Sequence, residues 1–117
     1  MYSRTTLLRF RSGRRINSAL CDNGDRMINV VSLDDALPRF RPTFINMDIE
    51  GAELEALRGA ESMICRDRPD WAVCVYHAPS HLWDILLYLH HLDLGYKFYL
   101  RNYTSFVSET VLYATVP

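Results

Sequence analysis

The amino-acid sequence predicts an α/β fold in which strands and helices alternate before an antiparallel pair of strands closes the sheet. Thr43–Met47 is a short apolar run bounded by a proline, and helical spacing follows it. Near the other end, Tyr96–Tyr103 and Thr110–Val116 are two β-type runs separated only by residues 104–109. A parallel crossover needs a dozen or more residues, so these last two strands must be antiparallel.

The first unit is a buried strand followed by an amphipathic helix. Thr43–Met47 is too short for a helix and is therefore interpreted as a strand, after which Gly51 lets the chain turn. Glu53 and Glu55 lie in the first helical turn, where the helix dipole favours negative charge. Residues 52–65 carry apolar side chains at three- and four-residue steps, which predicts a helix with one buried face. These side chains are Leu54, Leu57, Ala60 and Ile64.

The second unit repeats this order. Trp71–Tyr76 is continuously apolar, as expected of a strand covered on both faces in a parallel sheet. Ser80 can cap a second helix, and Gly95 is placed to end it as a C′ glycine. The buried stripe of that helix is predicted at Leu82, Ile85, Leu86, Leu89 and Leu92.

The N-terminal third carries weaker signals. Thr5–Arg11 and Ile28–Val31 are strand candidates, with a polar loop between them. Ser32 and Asp35 resemble a capping box that opens a short helix over Leu33–Leu37.

Length and composition bound the class of protein. The chain of 117 residues is one small domain, and 49% apolar with 23% charged residues is typical of a soluble globular protein. A formal charge of −1 gives no reason to expect a nucleic-acid or membrane partner. Residues 1–25 are basic, and we expect them to be poorly structured. A phosphate-binding arm is the weaker alternative, because aromatic residues there are limited to Tyr2 and Phe10.

Cysteine usage and hydropathy indicate a cytoplasmic protein. Three cysteines without a CxxC pair do not form a disulfide framework. No apolar stretch approaches the roughly 18 residues of a membrane span, and the basic N-terminus lacks the apolar core of a signal peptide.

The segment PTFINMDIEGAELEALRGA resembles the signature of the FkbM family of S-adenosylmethionine-dependent methyltransferases, whose usual form is Lys-Met/Ile-Asp-Ile/Val-Glu-Gly-Ala-Glu. The resemblance continues through RPDWAVCVYHAPSHLWDILLYL and GYKFYLRNYTSFVSETVLYA. It implies the C-terminal part of a Rossmann-like methyltransferase sheet, with S-adenosylmethionine as cofactor. The implied acceptor is a small molecule such as a sugar or polyketide hydroxyl.

The cofactor-binding half of such an enzyme is not found in this sequence. In this fold a glycine-rich turn after the first strand normally holds the cofactor. The chain has five glycines, and no two lie within three residues of each other. We therefore expect the chain alone to be catalytically silent.

The alternative is a catalytically inactive remnant or interaction module that keeps the back half of the fold. The strand Thr43–Met47 would then have an open edge, which invites pairing with a second copy of the chain. Thr5–Arg11 and Ile28–Val31 are the local segments that could cover it instead.

Two acids and a histidine are the candidate catalytic residues. Asp48 and Glu50 follow the first strand, where the resemblance places Asp48 beside the meeting point of cofactor and acceptor. It could serve as base, hydrogen-bond acceptor or metal ligand, whereas the alternative is that both acids bind backbone N–H groups of the turn. His77 follows the next strand and, if the sheet is parallel, lies with Asp48 at the carboxyl ends of the strands, which we call the rim. An imidazole titrates near neutral pH, as a general base requires. The alternative is a loop histidine bonded to the neighbouring backbone.

The remaining candidates concern the cofactor, metal and acceptor sites. Asn46 stands where the family usually has Lys and is a candidate for cofactor binding together with Asp48. Cys74, His77 and His81 have only faintly zinc-like spacing, so we expect no metal. Four aromatic side chains could line an acceptor pocket or belong to the core: Trp83, Tyr96, Tyr99 and Tyr103.

Overall fold

The computed structural model of the chain describes residues 6–11, 19–20, 24, 26–106 and 108–117. Within these residues the strands are β1 (Thr6–Arg11), β2 (Ala19–Leu20), β3 (Arg26–Val30), β4 (Phe44–Met47), β5 (Asp70–Cys74), β6 (Lys97–Asn102) and β7 (Thr110–Thr115). The helices are α1 (Leu33–Ala36), α2 (Glu53–Arg58), α3 (Glu61–Asp67) and α4 (His81–His91). Most of residues 1–25, predicted to be poorly structured, lie outside the described part.

The strands form two sheets. β1 pairs antiparallel with β2 and β3, while the second sheet has the order β4-β5-β7-β6. β4 and β5 are parallel, with Ile45 opposite Trp71. β7 runs antiparallel to both of its neighbours and is the reversed strand between β5 and β6. The predicted α/β order, with a closing antiparallel pair, is confirmed.

Helices α2, α3 and α4 share one hydrophobic core with the second sheet. Leu57 of α2, Ile64 of α3 and Leu89 of α4 are fully buried together with Trp71 and Val73 of β5. Complete burial of such a side chain stabilises the fold by about 1.5–3 kcal/mol. The predicted helix stripes are confirmed, since their other members are buried or pack against this core.

The expected single helix over residues 52–65 is wrong, because the structure has two helices there. α2 ends at Arg58 and α3 begins at Glu61. The backbone N–H of Gly59 still bonds to the carbonyl of Glu55, but the carbonyl of Gly59 accepts the N–H of Asp34 at 2.9 Å. Periodicity did not reveal the break, since both short helices present their apolar residues to the same core.

The helix ends differ from expectation in two places. The cap of α1 is confirmed, since Ser32 Oγ accepts the N–H of Asp35 at 3.1 Å. Ser80 precedes α4 but makes no side-chain capping bond. Gly95 does not end the helix: α4 ends at His91, and Asp93 takes the left-handed conformation at φ 53°. An aspartate tolerates that conformation better than most residues, so the glycine was not needed there.

β4 and β6 are the two edge strands of the second sheet within the described residues. β1 and β3 pair with each other in a separate sheet, so neither of these two candidate segments covers β4. The described helices also include none with the length and apolar character that a bilayer span requires.

Candidate functional site

Asp48 and His77 come together at the carboxyl ends of β4 and β5. Parallel strands end at the same edge of a sheet, and the two residues follow neighbouring parallel strands. Nε2 of His77 lies 3.3 Å from Oδ1 of Asp48 and 3.7 Å from Oε2 of Glu50. The His77 side chain is 10% exposed, whereas the two acids are about half exposed at 50% and 44%. A largely buried imidazole therefore faces two solvent-accessible carboxylates.

The turn after β4 brings Glu50 back toward the imidazole. Glu50 has φ 58° and Gly51 has φ 102°. Glycine adopts such angles readily, but a glutamate in the left-handed region is uncommon. A Cβ at Gly51 would lie 3.9 Å from Cβ of His77, so this turn and the loop after β5 pass close to each other.

Glu53 is the site residue that sequence reasoning missed. Its side chain has 0% exposure at the start of α2. Oε1 accepts the backbone N–H of Ile49 at 3.0 Å and lies 2.8 Å from Nδ1 of His77. We expected an ordinary dipole-compensating acid in a first helical turn, a position that is usually solvated. The sequence has no signal for this contact, which depends on where the loop after β5 passes.

The hydrogen bonds of the turn and of the imidazole bear on whether Asp48, Glu50 and His77 have a purely structural role. The N–H of Ile49 in the turn is bound by Glu53, and the hydrogen bonds among described residues include none from backbone to Asp48 or Glu50. The ring of His77 binds the carboxylate of Glu53 in place of neighbouring backbone. Within the described part, none of the three candidate side chains makes the hydrogen bond to backbone that a purely structural role predicts.

A cleft of about 440 Å³ opens beside Asp48. Asn46, Asp48 and Glu109 contribute amide and carboxylate groups to its lining, so the two residues expected on the cofactor side share this cleft. Aromatic side chains also line it, and the hydroxyls of two of them, Tyr103 and Tyr113, are hydrogen-bonded to each other. The full aromatic lining is Phe44, Tyr76, Tyr103 and Tyr113.

The other aromatic candidates lie elsewhere. Tyr96 is a core residue whose hydroxyl donates to the carbonyl of Pro69 and accepts from Nε1 of Trp71. Trp83 and Tyr99 are more than half exposed, at 53% and 58%. Tyr103 is therefore the one member of the predicted aromatic set that lines the cleft.

Burial and charge keep two other ionisable groups of the cleft neutral. Burial, reinforced by the negative charge of Asp48, raises the pKa of the Cys74 thiol to about 11. The same two causes raise the pKa of the Tyr76 hydroxyl to about 12. Neither is ionised near neutral pH, so neither is a ready base or nucleophile. The imidazole of His77 is the better-suited proton acceptor at this rim.

The rim also has the composition of a cation site. Asp48, Glu50 and His77 each offer one ligand atom, and these atoms lie within 4.8 Å of one another. Two of the three are exposed acids, which often group without an ion, and the expectation of no metal stays a prediction. His81 does not join them, since its Nδ1 lies 3.4 Å from Oε2 of Glu53.

Comparison with known proteins identifies the family. The sequence model of the family described as methyltransferase FkbM domain matches residues 16–98, more than half of the chain. This chain belongs to the FkbM methyltransferase family. Among solved structures it is similar to methyltransferase FkbM from Methylobacillus flagellatus KT, with 39% identity and a TM-score of 0.69. No curated protein matched the chain.

The chain spans 23% of the length of that solved FkbM protein, while 75% of the chain is covered by the match. Among the described glycines only Gly51 and Gly95 have positive φ, and they lie on different loops. The described residues thus form no glycine-rich cradle of the kind that holds S-adenosylmethionine in Rossmann-like folds. What they do form is the rim and cleft around Asp48.

Proposed function

We propose that this chain forms the acceptor side of an S-adenosylmethionine-dependent methyltransferase that methylates a hydroxyl of a sugar or other small metabolite. The observation that carries the proposal is the meeting of Asp48, Glu50 and His77 at the carboxyl ends of two parallel strands. Ligands of open α/β sheets bind outside the carboxyl ends of the strands, so this rim lies where an acceptor is expected.

The arrangement supports removal of a proton from the acceptor. An acceptor hydroxyl that gained the methyl group of S-adenosylmethionine would leave the methyl–sulfur electron pair on sulfur and would have to lose its own proton. Nε2 of His77 takes that proton, and the resulting imidazolium is stabilised by Asp48 at 3.3 Å. Glu50, at 3.7 Å, adds a second negative charge on the same side. S-adenosylmethionine, when bound, would supply the electrophilic methyl group.

The cleft favours a polyhydroxylated acceptor. Carboxylates accept hydrogen bonds from hydroxyls, and the cleft is lined by the carboxylates of Asp48 and Glu109 and by the amide of Asn46. Aromatic rings such as Tyr76 and Tyr113 offer flat apolar walls against which the carbon face of a sugar ring can pack. Because Asp48 borders both the cleft and the imidazole, an acceptor that donates one hydroxyl to Asp48 can direct a neighbouring hydroxyl at Nε2 of His77.

The first test is calorimetric titration of S-adenosylmethionine into the purified chain. We expect no saturable binding at micromolar concentration, because the described residues hold no glycine-rich cradle. Saturable micromolar binding would contradict the assignment of this chain to the acceptor side alone.

The second test measures transfer in a chimera in which residues 42–117 replace the matching segment of the solved FkbM protein. Formation of the demethylated cofactor is followed with a panel of monosaccharides and hydroxylated metabolites. His77→Gln should lower turnover by about 10²–10⁴-fold, the usual contribution of a general base. His90→Gln is the matched control, since His90 is an exposed residue late on α4. An unchanged rate in His77→Gln would remove the base from the proposal.

A second candidate function is an interaction module that pairs through β4. The open edge of β4 and the 57% exposure of Phe44 favour it. Light scattering coupled to size exclusion separates the two candidates. A strict monomer at all concentrations would exclude obligate pairing between copies.

A further inference from the structure

Glu53 combines complete burial with a charge-bearing side chain. At 0% exposure its carboxylate is deprived of water, so it needs polar partners to compensate. Oε1 has two of them, the N–H of Ile49 at 3.0 Å and Nδ1 of His77 at 2.8 Å. Both partners belong to segments that carry the rim, one to the turn after β4 and the other to the loop after β5.

The contact with Nδ1 determines where the imidazole holds its proton. With Glu53 ionised, its carboxylate only accepts hydrogen bonds, and Nδ1 at 2.8 Å is then the donor. In the neutral ring Nδ1 then carries the hydrogen, and Nε2 is left with its lone pair. Nε2 lies 3.3 Å from Asp48 and 3.7 Å from Glu50 but forms no hydrogen bond with either within the described residues, so Nδ1 alone is held by a hydrogen bond.

We propose that Glu53 is a positioning residue that fixes His77 with its proton on Nδ1, so that proton exchange occurs only at Nε2. The inference deepens the proposed function, in which His77 is the base, and rests on it for its catalytic meaning. Glu53 does not reach the acceptor. It acts through the imidazole, by setting the ring orientation and the tautomer that can accept a proton at the rim.

His81 borders the second oxygen of the same carboxylate. Its Nδ1 lies 3.4 Å from Oε2 of Glu53, and neither atom has a hydrogen-bond partner among the described residues. The His81 side chain is 7% exposed and helps to exclude water from the carboxylate. Exclusion of water strengthens the remaining bond to His77, because the local dielectric is low.

The experiment reads the tautomer directly in the 117-residue chain labelled with ¹⁵N histidine. Long-range ¹H–¹⁵N spectra distinguish Nδ1–H, Nε2–H and doubly protonated rings, at a pH where the His77 ring is neutral. We expect Nδ1–H to exceed Nε2–H at His77 by roughly tenfold or more, the equilibrium equivalent of one charge-assisted hydrogen bond. An Nε2–H majority in the wild-type chain would overturn the proposal.

Two substitutions separate positioning from mere packing. Glu53→Gln should keep the Nδ1–H form, because the N–H of Ile49 holds the amide oxygen at the position of Oε1, where it can accept from Nδ1 of His77. Glu53→Leu removes the acceptor and should return the ring to an Nε2–H majority. An unchanged tautomer in folded Glu53→Leu would also overturn the proposal. If that variant does not fold, the wild-type spectrum alone decides.

The matched control is Glu55→Gln, the same change on the same helix. Glu55 bonds to Arg58 on the surface and, within the described residues, makes no hydrogen bond or ion pair with the imidazole, so the His77 spectrum should not change. None of these measurements uses cofactor or acceptor. A failure of methyl transfer would therefore leave the tautomer result intact, and a wrong tautomer would leave the family assignment intact.

Discussion

The carboxylate of Asp34 accepts a hydrogen bond from the backbone N–H of Met63 at 3.0 Å. Its other oxygen accepts the N–H of Ser62 at 2.9 Å. A residue of α1 thus caps the N-terminus of α3, whose own N-cap residue, Ala60, offers no side-chain acceptor. The carboxylate also lies at the positive end of the helix dipole.

Removal of that cap should destabilise the fold. Asp34→Ala is expected to lower the free energy of unfolding by about 1–2 kcal/mol, the usual cost of a lost N-cap. Asp34→Asn keeps one acceptor oxygen and should fall between wild type and Asp34→Ala. Urea denaturation followed by circular dichroism measures both. Glu55→Ala is the control, since it loses an exposed pair with Arg58 and a first-turn charge, each worth about 0.5 kcal/mol and partly offset by the higher helix propensity of Ala.

The hydroxyl of Tyr96 joins two buried groups and should be costly to delete. It donates to the carbonyl of Pro69 at 2.8 Å and accepts from Nε1 of Trp71 at 3.3 Å. Tyr96→Phe leaves both partners buried without it, and we expect a loss of about 1–3 kcal/mol. Tyr99→Phe is the same change at an exposed site and should be nearly neutral. Equal thermal stability of the two variants would contradict this account.

The thiol of Cys74 should react slowly with alkylating reagents. Its pKa is raised by burial, and then by the charge of Asp48, to about 11. Because the thiolate is the nucleophile, alkylation at mildly alkaline pH should be roughly 100-fold slower than for an ordinary thiol. Asp48→Asn should accelerate it, because the neighbouring negative charge is lost. Mass spectrometry of the labelled peptide gives both rates, and a faster reaction in wild type than in Asp48→Asn would contradict the assigned cause.

Stability should fall at alkaline pH. The pKa values of Cys74 and Tyr76 are raised from 9.0 to about 11 and from 10.0 to about 12, chiefly by burial. The unfolded chain releases these protons at the lower values, so it binds fewer protons than the folded chain over this window. The stabilisation is complete below the unfolded values and is lost as pH rises through the folded ones. Urea midpoints across this range measure the loss.

The substitution Cys74→Ala measures how much of the loss of stability at alkaline pH comes from the thiol. Cys74→Ala should show a smaller decline in stability between the unfolded and folded pKa of Cys74. Other groups whose pKa is raised in the folded chain, such as Tyr88, continue to contribute to the decline. An alkaline profile that is identical in wild type and Cys74→Ala would show that the thiol is not a source of the decline.

Much of the fold could be predicted from the sequence because its signals are local. The apolar run of β5 and the spacing of Ile85 and Leu89 each identify an element from a few neighbouring residues. The antiparallel pairing of β6 with β7 followed from the length of the connection alone. The meeting of Asp48 and His77 followed from strand order, once parallel pairing was assumed.

The remainder depends on contacts between distant residues. The break before α3 involves Asp34, which lies 28 residues from Ser62. The burial of Glu53 depends on His77, 24 residues away along the chain. Neither is visible in periodicity, and a first-turn acid has the same local pattern whether it faces water or an imidazole.

The left-handed backbone of Glu50 is an energetic cost that the fold carries at its rim. A left-handed φ of 58° costs a glutamate roughly 1–2 kcal/mol, which a glycine at that place would avoid. The chain tolerates this penalty and thereby holds a carboxylate 3.7 Å from the ring nitrogen. Conformational strain of this kind collects where geometry serves chemistry more than stability. The rim of this small sheet has that character.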